Sequence, residues 1–512
     1  MLCSRRLEGF RVDCRSVKRS AVAGGRHEVV YSERQLAPNP GLRTGSEKFT
    51  LAINDRRGTK RAAEDFGKKL MAVPQDLQTI ERRTIAKVSW RLLPLVALAY
   101  CISYIDRSNI SFASLTMNKD LAFSAYIYGW GAGIFFFGYF LFEIPSNLAL
   151  EKVGARIWIA RIMITWGIIS GLTAFVTGTT SFLVIRFLLG AAEAGFFPGM
   201  ILYFTYWFPS EYRGRVISTL FIAQPVANAA ASIASGAILE MDGLLGIKGW
   251  QWIFVIEAIP AVLLGFVVLK VMTDRPARAD WLTTEEKTWL QARIDGENRQ
   301  VESAGRLTLL RALADPRVLA LSAIYLMSVT ANYGIVFFMP QIIKGIGLTN
   351  MMTGLVSSIP YIIGTIGLIA WGWSSDRNRE RRWHLIVAST VGAIGLAFAA
   401  WSGASYWALL GMSAATVGIY GSRAAFWPMP SLFLTGTAAA GAIAMINATG
   451  NLGGYFGPFI VGWIKDSTGK FEAGLYFLAA CSLMCAVITY FAARAAGDPA
   501  AIIRANAAAA AE

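Results

Sequence analysis

The feature that most constrains this chain is a series of long apolar segments separated by short polar turns. A bilayer's hydrocarbon core, about 30 Å thick, requires about 20 apolar residues per helical crossing. Runs of that length recur from residue 91 onward and lack the two-residue alternation of a membrane barrel strand. We therefore predict an all-α membrane protein with twelve spanning helices, at about residues 91–113, 126–148, 157–178, 181–208, 216–240, 250–272, 318–343, 353–374, 383–401, 404–434, 438–464 and 471–494.

Composition agrees with a membrane protein. The chain is 55% hydrophobic and 16% charged, whereas about one quarter of the residues in a soluble domain are charged. Its five cysteines have no metal-site or disulfide spacing, so neither a metal site nor redox chemistry is expected. The net charge of +15 does not indicate a nucleic-acid partner, because about half of the excess lies in residues 1–70, which hold 16 Lys/Arg and 8 Asp/Glu.

Residues 1–80 form a basic segment with neither an apolar core nor a signal sequence. This composition predicts a disordered tail, and a start of translation at Met71 is a further interpretation. The alternative is a basic arm that binds anionic lipid. We expect removal of residues 1–70 to leave activity intact.

The remainder divides into two bundles of six helices. The polar segment between them has eight basic and eight acidic residues and cannot span lipid. Within it, residues 281–294 predict an amphipathic helix, on which Thr283 and Glu286 have the spacing of a capping box. A weak internal repeat, offset by 227 residues, aligns Gln224 with Asn451. The predicted boundaries are 81–272 for the first bundle, 273–317 for the linker, 318–495 for the second bundle and 496–512 for the C-terminal tail.

The distribution of Lys and Arg among the loops predicts the orientation. Basic residues concentrate in residues 151–156, 210–215 and 374–384, whereas residues 177–181 and 402–405 carry no charge. Because cytoplasmic loops are enriched in Lys and Arg, both termini are expected in the cytoplasm.

Charged side chains within the spans are candidates for function, because each costs at least about 2.5–3.5 kcal/mol at the bilayer centre. We interpret Glu143, Arg161 and Glu257 as structural and leave Arg423 open between a structural and a functional role. Apart from residues at the ends of the predicted spans, next to the loops, the charged residues are Asp106, Arg107, Glu143, Arg161, Arg186, Glu193, Glu257 and Arg423.

Depth along the helices suggests which charges meet. Asp106 lies about 24 Å from the inner start of the first helix, and Arg186 about 21 Å from the inner face. These depths predict an Asp106–Arg186 ion pair that leaves Arg107 free. Glu193, seven residues after Arg186, is expected to face the same cavity. A purely structural cluster of charges is the alternative.

Several motifs resemble those of the major facilitator superfamily, and more closely its anion:cation symporter family, over about residues 80–495. That family includes transporters for tartrate, phthalate and hydroxyphenylacetate. The motifs that carry the resemblance are "YIDRSNIS", "FLFEIPSNLALEKVGARIWIARI", "RFLLGAAEAGFFPG", "WFPSEYRGR", "FFMPQIIK" and "GNLGGYFGPFIVGWI".

The resemblance implies roles for individual residues. Arg107 matches the arginine that holds the substrate carboxylate, and Asp106 matches the adjacent acid that takes up the coupling proton. Arg186 and Glu193 match the arginine and the second protonatable acid of the fourth helix. The resemblance further implies a substrate pocket lined by Tyr104, Tyr139, Gln224, Trp427, Asn447 and Asn451.

The resemblance also implies a cytoplasmic gate built from two loops. The superfamily's acidic, basic and glycine signature appears here with Glu151, Lys152 and Arg156, where Lys152 replaces an arginine. Asp376 and Arg377 lie in the corresponding loop of the second half.

The resulting functional prediction is proton-coupled import of a small organic carboxylate, such as tartrate, 4-hydroxyphenylacetate, phthalate or a sugar acid, by alternating access. The expected partners are the substrate, protons and the bilayer, with no cofactor and no metal, in a monomer of the bacterial inner membrane. An exporter, a uniporter of neutral solutes and a membrane receptor are the alternatives. An enzyme is disfavoured, because the histidines are limited to His27 and His384 and the helices carry no nucleophile–base set.

Overall fold

Helices occupy all twelve positions at which the sequence predicts a membrane crossing. The computed structural model describes residues 19–22, 26–30, 50–53, 75–303, 315–430 and 436–495. The first half comprises α1 (Gln75–Asp120), α2 (Ala125–Val153), α3 (Ala155–Leu172), α4 (Thr179–Glu193), α5 (Phe196–Trp207), α6 (Ser210–Ile238) and α7 (Gly249–Val271). The linker helix is α8 (Thr284–Ser303), and the second half comprises α9 (Pro316–Lys344), α10 (Asn350–Asn378), α11 (Arg382–Ser402), α12 (Tyr406–Phe426), α13 (Gly436–Thr468) and α14 (Glu472–Ala495).

Ten of the spans within the described residues are long and apolar enough to cross a membrane, with α4 and α5 counted as one span. The other two helices of the predicted set, α12 and α13, are rich in Gly, Ala and Ser. Small residues lower the mean hydropathy but allow neighbouring helices to approach closely.

Two predicted boundaries differ from the structure. The first helix begins at Gln75 rather than at residue 91, because its polar first turns continue a helix whose apolar part alone defines the crossing. The fourth predicted helix is two helices, because Ala194 is extended and Gly195 adopts a left-handed φ of +83° that interrupts the helical hydrogen bonds.

The N-terminal unit, residues 1–82, is distinct from the unit of residues 83–512. Its described strands are β1 (Arg19–Val22), β2 (Arg26–Val30) and β3 (Thr50–Ile53), paired antiparallel in the order β1-β2-β3. Composition predicts disorder for residues 1–80; apart from these strands and the first residues of α1, that segment lies outside the described residues. The predicted tail at 496–512 falls outside them as well.

The spanning helices have two ends, which we name by one residue each. The Asp120 face is the end with the turns 121–124, 239–248, 345–349 and 469–471. The Glu286 face is the opposite end, where α8 follows α7.

The two halves meet closely where glycines remove side chains from the contact. A Cβ at Gly129 of α2 would lie 2.3 Å from the Pro458 carbonyl oxygen of α13. A Cβ at Gly354 of α10 would lie 2.4 Å from the Ser232 carbonyl oxygen of α6. Both sites are near the Asp120 face, so only glycine permits the backbones to approach this closely there.

Acidic side chains connect the halves at the same face. Asp466 of α13 accepts hydrogen bonds from the N–H groups of Ala125 and Tyr126 at the start of α2, at 3.0 and 2.8 Å. Glu240, just after α6, accepts one from the Met351 N–H at the start of α10, at 3.1 Å. Each half therefore supplies an acid that caps a helix of the other half, where unpaired N–H groups favour negative charge.

The predicted capping box of the linker helix is confirmed. The Thr283 N–H donates to Glu286 at 2.9 Å, and the Glu286 N–H donates to the Thr283 hydroxyl at 3.3 Å. Glu286 also binds Lys87 and Arg83 of α1, at 2.8 and 3.2 Å. Burial raises the pKa of Glu286, but the hydrogen bonds from Lys87 and Thr283 and the charges of both α1 residues outweigh it, so the pKa lies below its usual value.

Candidate functional site

A cavity lies between the two halves. The first half contributes residues of α1, α2, α5 and α6, and the second half contributes residues of α9, α12 and α13. Its walls combine seven aromatic rings with two guanidinium groups and three amides. They are formed by Tyr100, Tyr104, Arg107, Tyr139, Phe197, Phe221, Gln224, Tyr325, Val329, Tyr333, Arg423, Asn447 and Asn451.

Helical spacing brings the α1 residues to one wall. Tyr100, Tyr104 and Arg107 are spaced i, i+4 and i+7, which places them on one face of the helix. The Tyr100 hydroxyl donates to the Tyr104 hydroxyl at 3.4 Å. From the opposite half, the Tyr333 hydroxyl of α9 accepts a hydrogen bond from Arg107 Nη1 at 3.4 Å. Polar contacts thus join the two halves across the cavity.

Arg107 forms an ion pair with Glu193. Its Nε and Nη2 atoms lie 2.8 and 2.7 Å from Glu193 Oε1. Glu193 is the last residue of α4 and is fully buried, and the break at Gly195 ends the helix where the carboxylate reaches the guanidinium. The rings of Tyr139 and Tyr104 lie 5.2 and 5.3 Å from Arg107 Cζ, so aromatic faces cover the cation as well.

The predicted Asp106–Arg186 ion pair is wrong, as is the prediction that Arg107 is unpaired. Asp106 accepts hydrogen bonds from the Ser170 hydroxyl of α3 and, at 3.3 Å, from the Asn109 amide. Arg186 Nε donates to the Gly131 carbonyl oxygen of α2 at 3.2 Å. Depth along a helix sets the height of a side chain but not its direction around the axis. Asp106 points to α3, whereas its neighbour Arg107, about 100° further round, points to Glu193.

The amide side chains that line the cavity form hydrogen bonds with other side chains of the protein. Asn447 and Asn451 of α13 each donate to one carboxylate oxygen of Glu143, at 2.9 and 3.4 Å. Gln224 of α6 accepts a hydrogen bond from Arg423 of α12. Both sets of contacts cross between the halves, and Gln224 and Asn451 are the pair that the internal repeat aligns.

Comparison with known proteins identifies the family. The sequence profile of the Major Facilitator Superfamily matches residues 96–441. This chain belongs to the Major Facilitator Superfamily. It is therefore a multi-pass membrane transporter rather than an enzyme, as the sequence predicted.

Relatives and solved structures agree with membership of the superfamily. Over 415 residues the chain is 50% identical to an Agrobacterium vitis protein named "Putative tartrate transporter", covering 81% of this chain and 92% of that protein. It is 41% identical over 411 residues to a quinolone resistance transporter of Acinetobacter baumannii, covering 80% and 95% of the two chains. The crystal structure of a bacterial homologue of the human lysosomal transporter Spinster, inward-facing and unoccupied, has a TM-score of 0.65 at 16% identity, covering 80% and 97%.

Six of the seven residues predicted to bind substrate line the cavity of this superfamily member. They are Arg107, Tyr104, Tyr139, Gln224, Asn447 and Asn451. The seventh, Trp427, lies behind the wall, where its ring stacks on Phe221 at 6.0 Å and meets Tyr325 edge-on at 5.0 Å. Trp427 therefore supports two rings that face the cavity.

Three residues that the sequence did not assign to the substrate site lie at the centre of the transporter. Arg423 and Glu143 stand out individually as charges within spans, but nothing in the sequence indicates that each meets an amide of the opposite half. Tyr333 belongs to the series Tyr325, Val329 and Tyr333 on α9, whose i, i+4, i+8 spacing is the signal that could have identified this wall.

The predicted gating residues lie at the Glu286 face. Asp376 forms an ion pair with Arg381, and the Arg377 guanidinium lies 5.2 Å from the Trp373 ring centre. The Arg156 N–H donates to Asp274 at 2.8 Å. The side chains of Glu151 and Lys152 are exposed at the end of α2.

Proposed function

We propose that this transporter imports a small organic carboxylate together with protons. The observation that carries the proposal is the ion pair between Arg107 and Glu193 at the cavity wall. A guanidinium offers parallel N–H donors that match a carboxylate. Glu193 supplies a carboxylate to Arg107 from within the protein, which is the group that a substrate carboxylate would replace.

Exchange of these carboxylates would couple substrate to proton. When a substrate carboxylate binds Arg107, Glu193 loses its partner within a buried environment. A proton on Glu193 then removes the cost of an unpaired buried charge. Asp106, fully buried on the neighbouring position of α1, is the second acid of the proposal. With the charges balanced, the two halves would rock about the cavity and expose it to each side in turn.

The proposal includes an orientation and a membrane. Basic residues at 151–156, 210–215 and 374–384 favour the Glu286 face and both termini in the cytoplasm. There, Glu151, Lys152, Arg156, Asp376 and Arg377 would act in the cytoplasmic gate. We propose the bacterial inner membrane as the location, a monomer as the working unit and the proton as the coupling ion, without a cofactor or metal. A bacterial relative named as a tartrate transporter supports the choice of an organic acid.

Reconstituted protein tests the coupling. Proteoliposomes with an acidic exterior should accumulate a labelled organic acid such as tartrate above its external concentration. Glu193→Gln should abolish this accumulation but retain exchange of internal for external substrate, because the introduced amide cannot take up and release a proton. Glu257→Gln is the matched control, since Glu257 is a buried acid that accepts a hydrogen bond from Ser235 at 2.7 Å and lies outside the cavity wall.

Other outcomes would contradict the proposal. Full gradient-driven accumulation by Glu193→Gln would exclude this acid from coupling. Uptake of neutral solutes without any pH dependence would indicate a uniporter. Proton-driven extrusion from loaded vesicles, without accumulation in the opposite direction, would indicate an exporter.

A further inference from the structure

A second arginine, Arg423 of α12, faces the same cavity from the other half. We propose that the substrate is a dicarboxylate held between Arg107 and Arg423, one guanidinium from each half of the transporter. This inference rests on the proposed function, because it assigns a class of substrate to the same cavity.

The surroundings of Arg423 differ from those of Arg107. Arg423 is only 6% exposed, yet among the described residues it has no ion pair with a carboxylate. Its hydrogen-bond acceptor is the neutral amide oxygen of Gln224, and its Nε atom has no hydrogen-bond partner within the described ranges. The Tyr420 ring lies 5.8 Å from its Cζ. Arg423 is therefore a buried cation whose countercharge the described residues do not supply by direct contact.

A buried cation without a countercharge is costly, and an anion that binds it recovers part of that cost. Glu193 performs this role for Arg107. The other carboxylate close to the cavity wall, Glu143, is held by Asn447 and Asn451. An external carboxylate is thus the group best suited to Arg423.

The geometry allows one ligand to reach both arginines. Arg107 and Arg423 line one cavity together with Tyr104 and Tyr333, and Arg107 donates a hydrogen bond to the Tyr333 hydroxyl at 3.4 Å. The hydroxyl groups of these tyrosines therefore belong to the same cavity wall as the two cations. They would donate to hydroxyl or carboxylate oxygens in the middle of a bridging ligand.

A substrate that bridges the two arginines would also bind one conformation of the transporter more tightly than the other. A ligand with one carboxylate binds one arginine and therefore one half. A ligand with two carboxylates binds both halves, so it stabilises the arrangement in which the halves are closest. Only such a difference in affinity between conformations can shift their populations.

Matched acids test the proposal on the full-length protein in lipid nanodiscs. Tartrate is compared with threonate, in which one carboxylate is replaced by a hydroxymethyl group, and phthalate with benzoate. Wild-type protein should bind at least one dicarboxylate about 10- to 100-fold more tightly than its monocarboxylate partner, as expected for one additional charge-assisted contact. Titration calorimetry provides the dissociation constants.

Substitutions at Arg423 test whether this residue is the source of the preference for dicarboxylates. Arg423→Gln should reduce it to within about twofold by weakening dicarboxylate binding alone, since a charge-assisted hydrogen bond to this guanidinium is worth about tenfold or more in affinity. Arg423→Lys should retain an intermediate preference. Arg161→Gln is the control, because Arg161 stacks on Trp158 at 3.9 Å outside the cavity wall. Thermal unfolding of each variant verifies that it is folded.

The possible failures can be distinguished. Wild-type protein that binds both members of each pair equally, or that binds no dicarboxylate, overturns the dicarboxylate proposal. The proposal is also overturned if Arg423→Gln weakens the binding of both members of a pair by the same factor. Proton-driven uptake of threonate or benzoate without a dicarboxylate preference would keep the proposed function and reject this inference. Selective dicarboxylate binding without proton-driven uptake would keep this inference and reject the proposed function.

Discussion

The two acidic caps at the Asp120 face should hold that end of the transporter closed. Replacing Asp466 and Glu240 with alanine removes the groups that cap α2 and α10 from the opposite half. Loss of a helix cap typically costs about 1 kcal/mol, so the double substitution should cost the closed arrangement about 2 kcal/mol. At 1.4 kcal/mol per factor of ten, the ratio of closed to open molecules should fall about thirtyfold.

Distances between spin labels at exposed positions of this face would measure the shift. Leu244 in the first half and Tyr406 in the second are 51% and 68% exposed, so both can carry a spin label. Double electron–electron resonance should show that the distance between the two labels increases. The control is Asp242→Ala, because Asp242 accepts a hydrogen bond from the Gly249 N–H at 2.7 Å within one half. An unchanged distance distribution in the double variant, or an equal shift in the control, would refute this reasoning.

Two further perturbations follow from the packing and the linker. Gly354→Val should open the Asp120 face and slow uptake, because its Cβ would lie 2.4 Å from the Ser232 carbonyl oxygen and such overpacking costs about 1–3 kcal/mol. Gly214→Ala, whose added Cβ would have no described atom within 4 Å apart from its chain neighbours and its own helix backbone, should transport normally, and equal uptake by both variants would contradict the packing argument. Because the pKa of Glu286 is lowered from 4.5, its stabilisation of α8 is present at neutral pH and lost as the pH falls below that value. Hydrogen exchange in α8, corrected for intrinsic rates, should therefore accelerate at low pH in wild type but not in Glu286→Gln.

The sequence was sufficient to predict the helices but not all of their internal geometry. The length of an apolar run is set by the bilayer, so twelve crossings could be counted directly. The break between α4 and α5 depends on the φ of Gly195, and glycine is equally compatible with close packing inside a continuous helix. A prediction from composition alone could not choose between these roles.

The sequence predicted which residues belong to the site better than it predicted which of them contact each other. Arg107 and Glu193 were both expected near the cavity, because charges within spans are rare and the family motifs include them. Their pairing with each other was missed because depth estimates contain no information about rotation around the helix axis. The environment of Arg423 depends on contacts between the halves. Its partner Gln224 is 199 residues away in the sequence, and no local sequence pattern encodes a contact at that separation.

The helix break after Glu193 has a mechanical consequence. Helix α5 has 12 residues, so it acts as a lever about 18 Å long that starts beside this acid. A tilt of about 10° at the break would displace the far end of α5 by about 3 Å, while Glu193 at the pivot would hardly move. The acid that binds Arg107 can therefore keep its position while the part of its own span nearer the Glu286 face swings. Loss or gain of that ion pair would then alter how freely the lever turns rather than where it is attached.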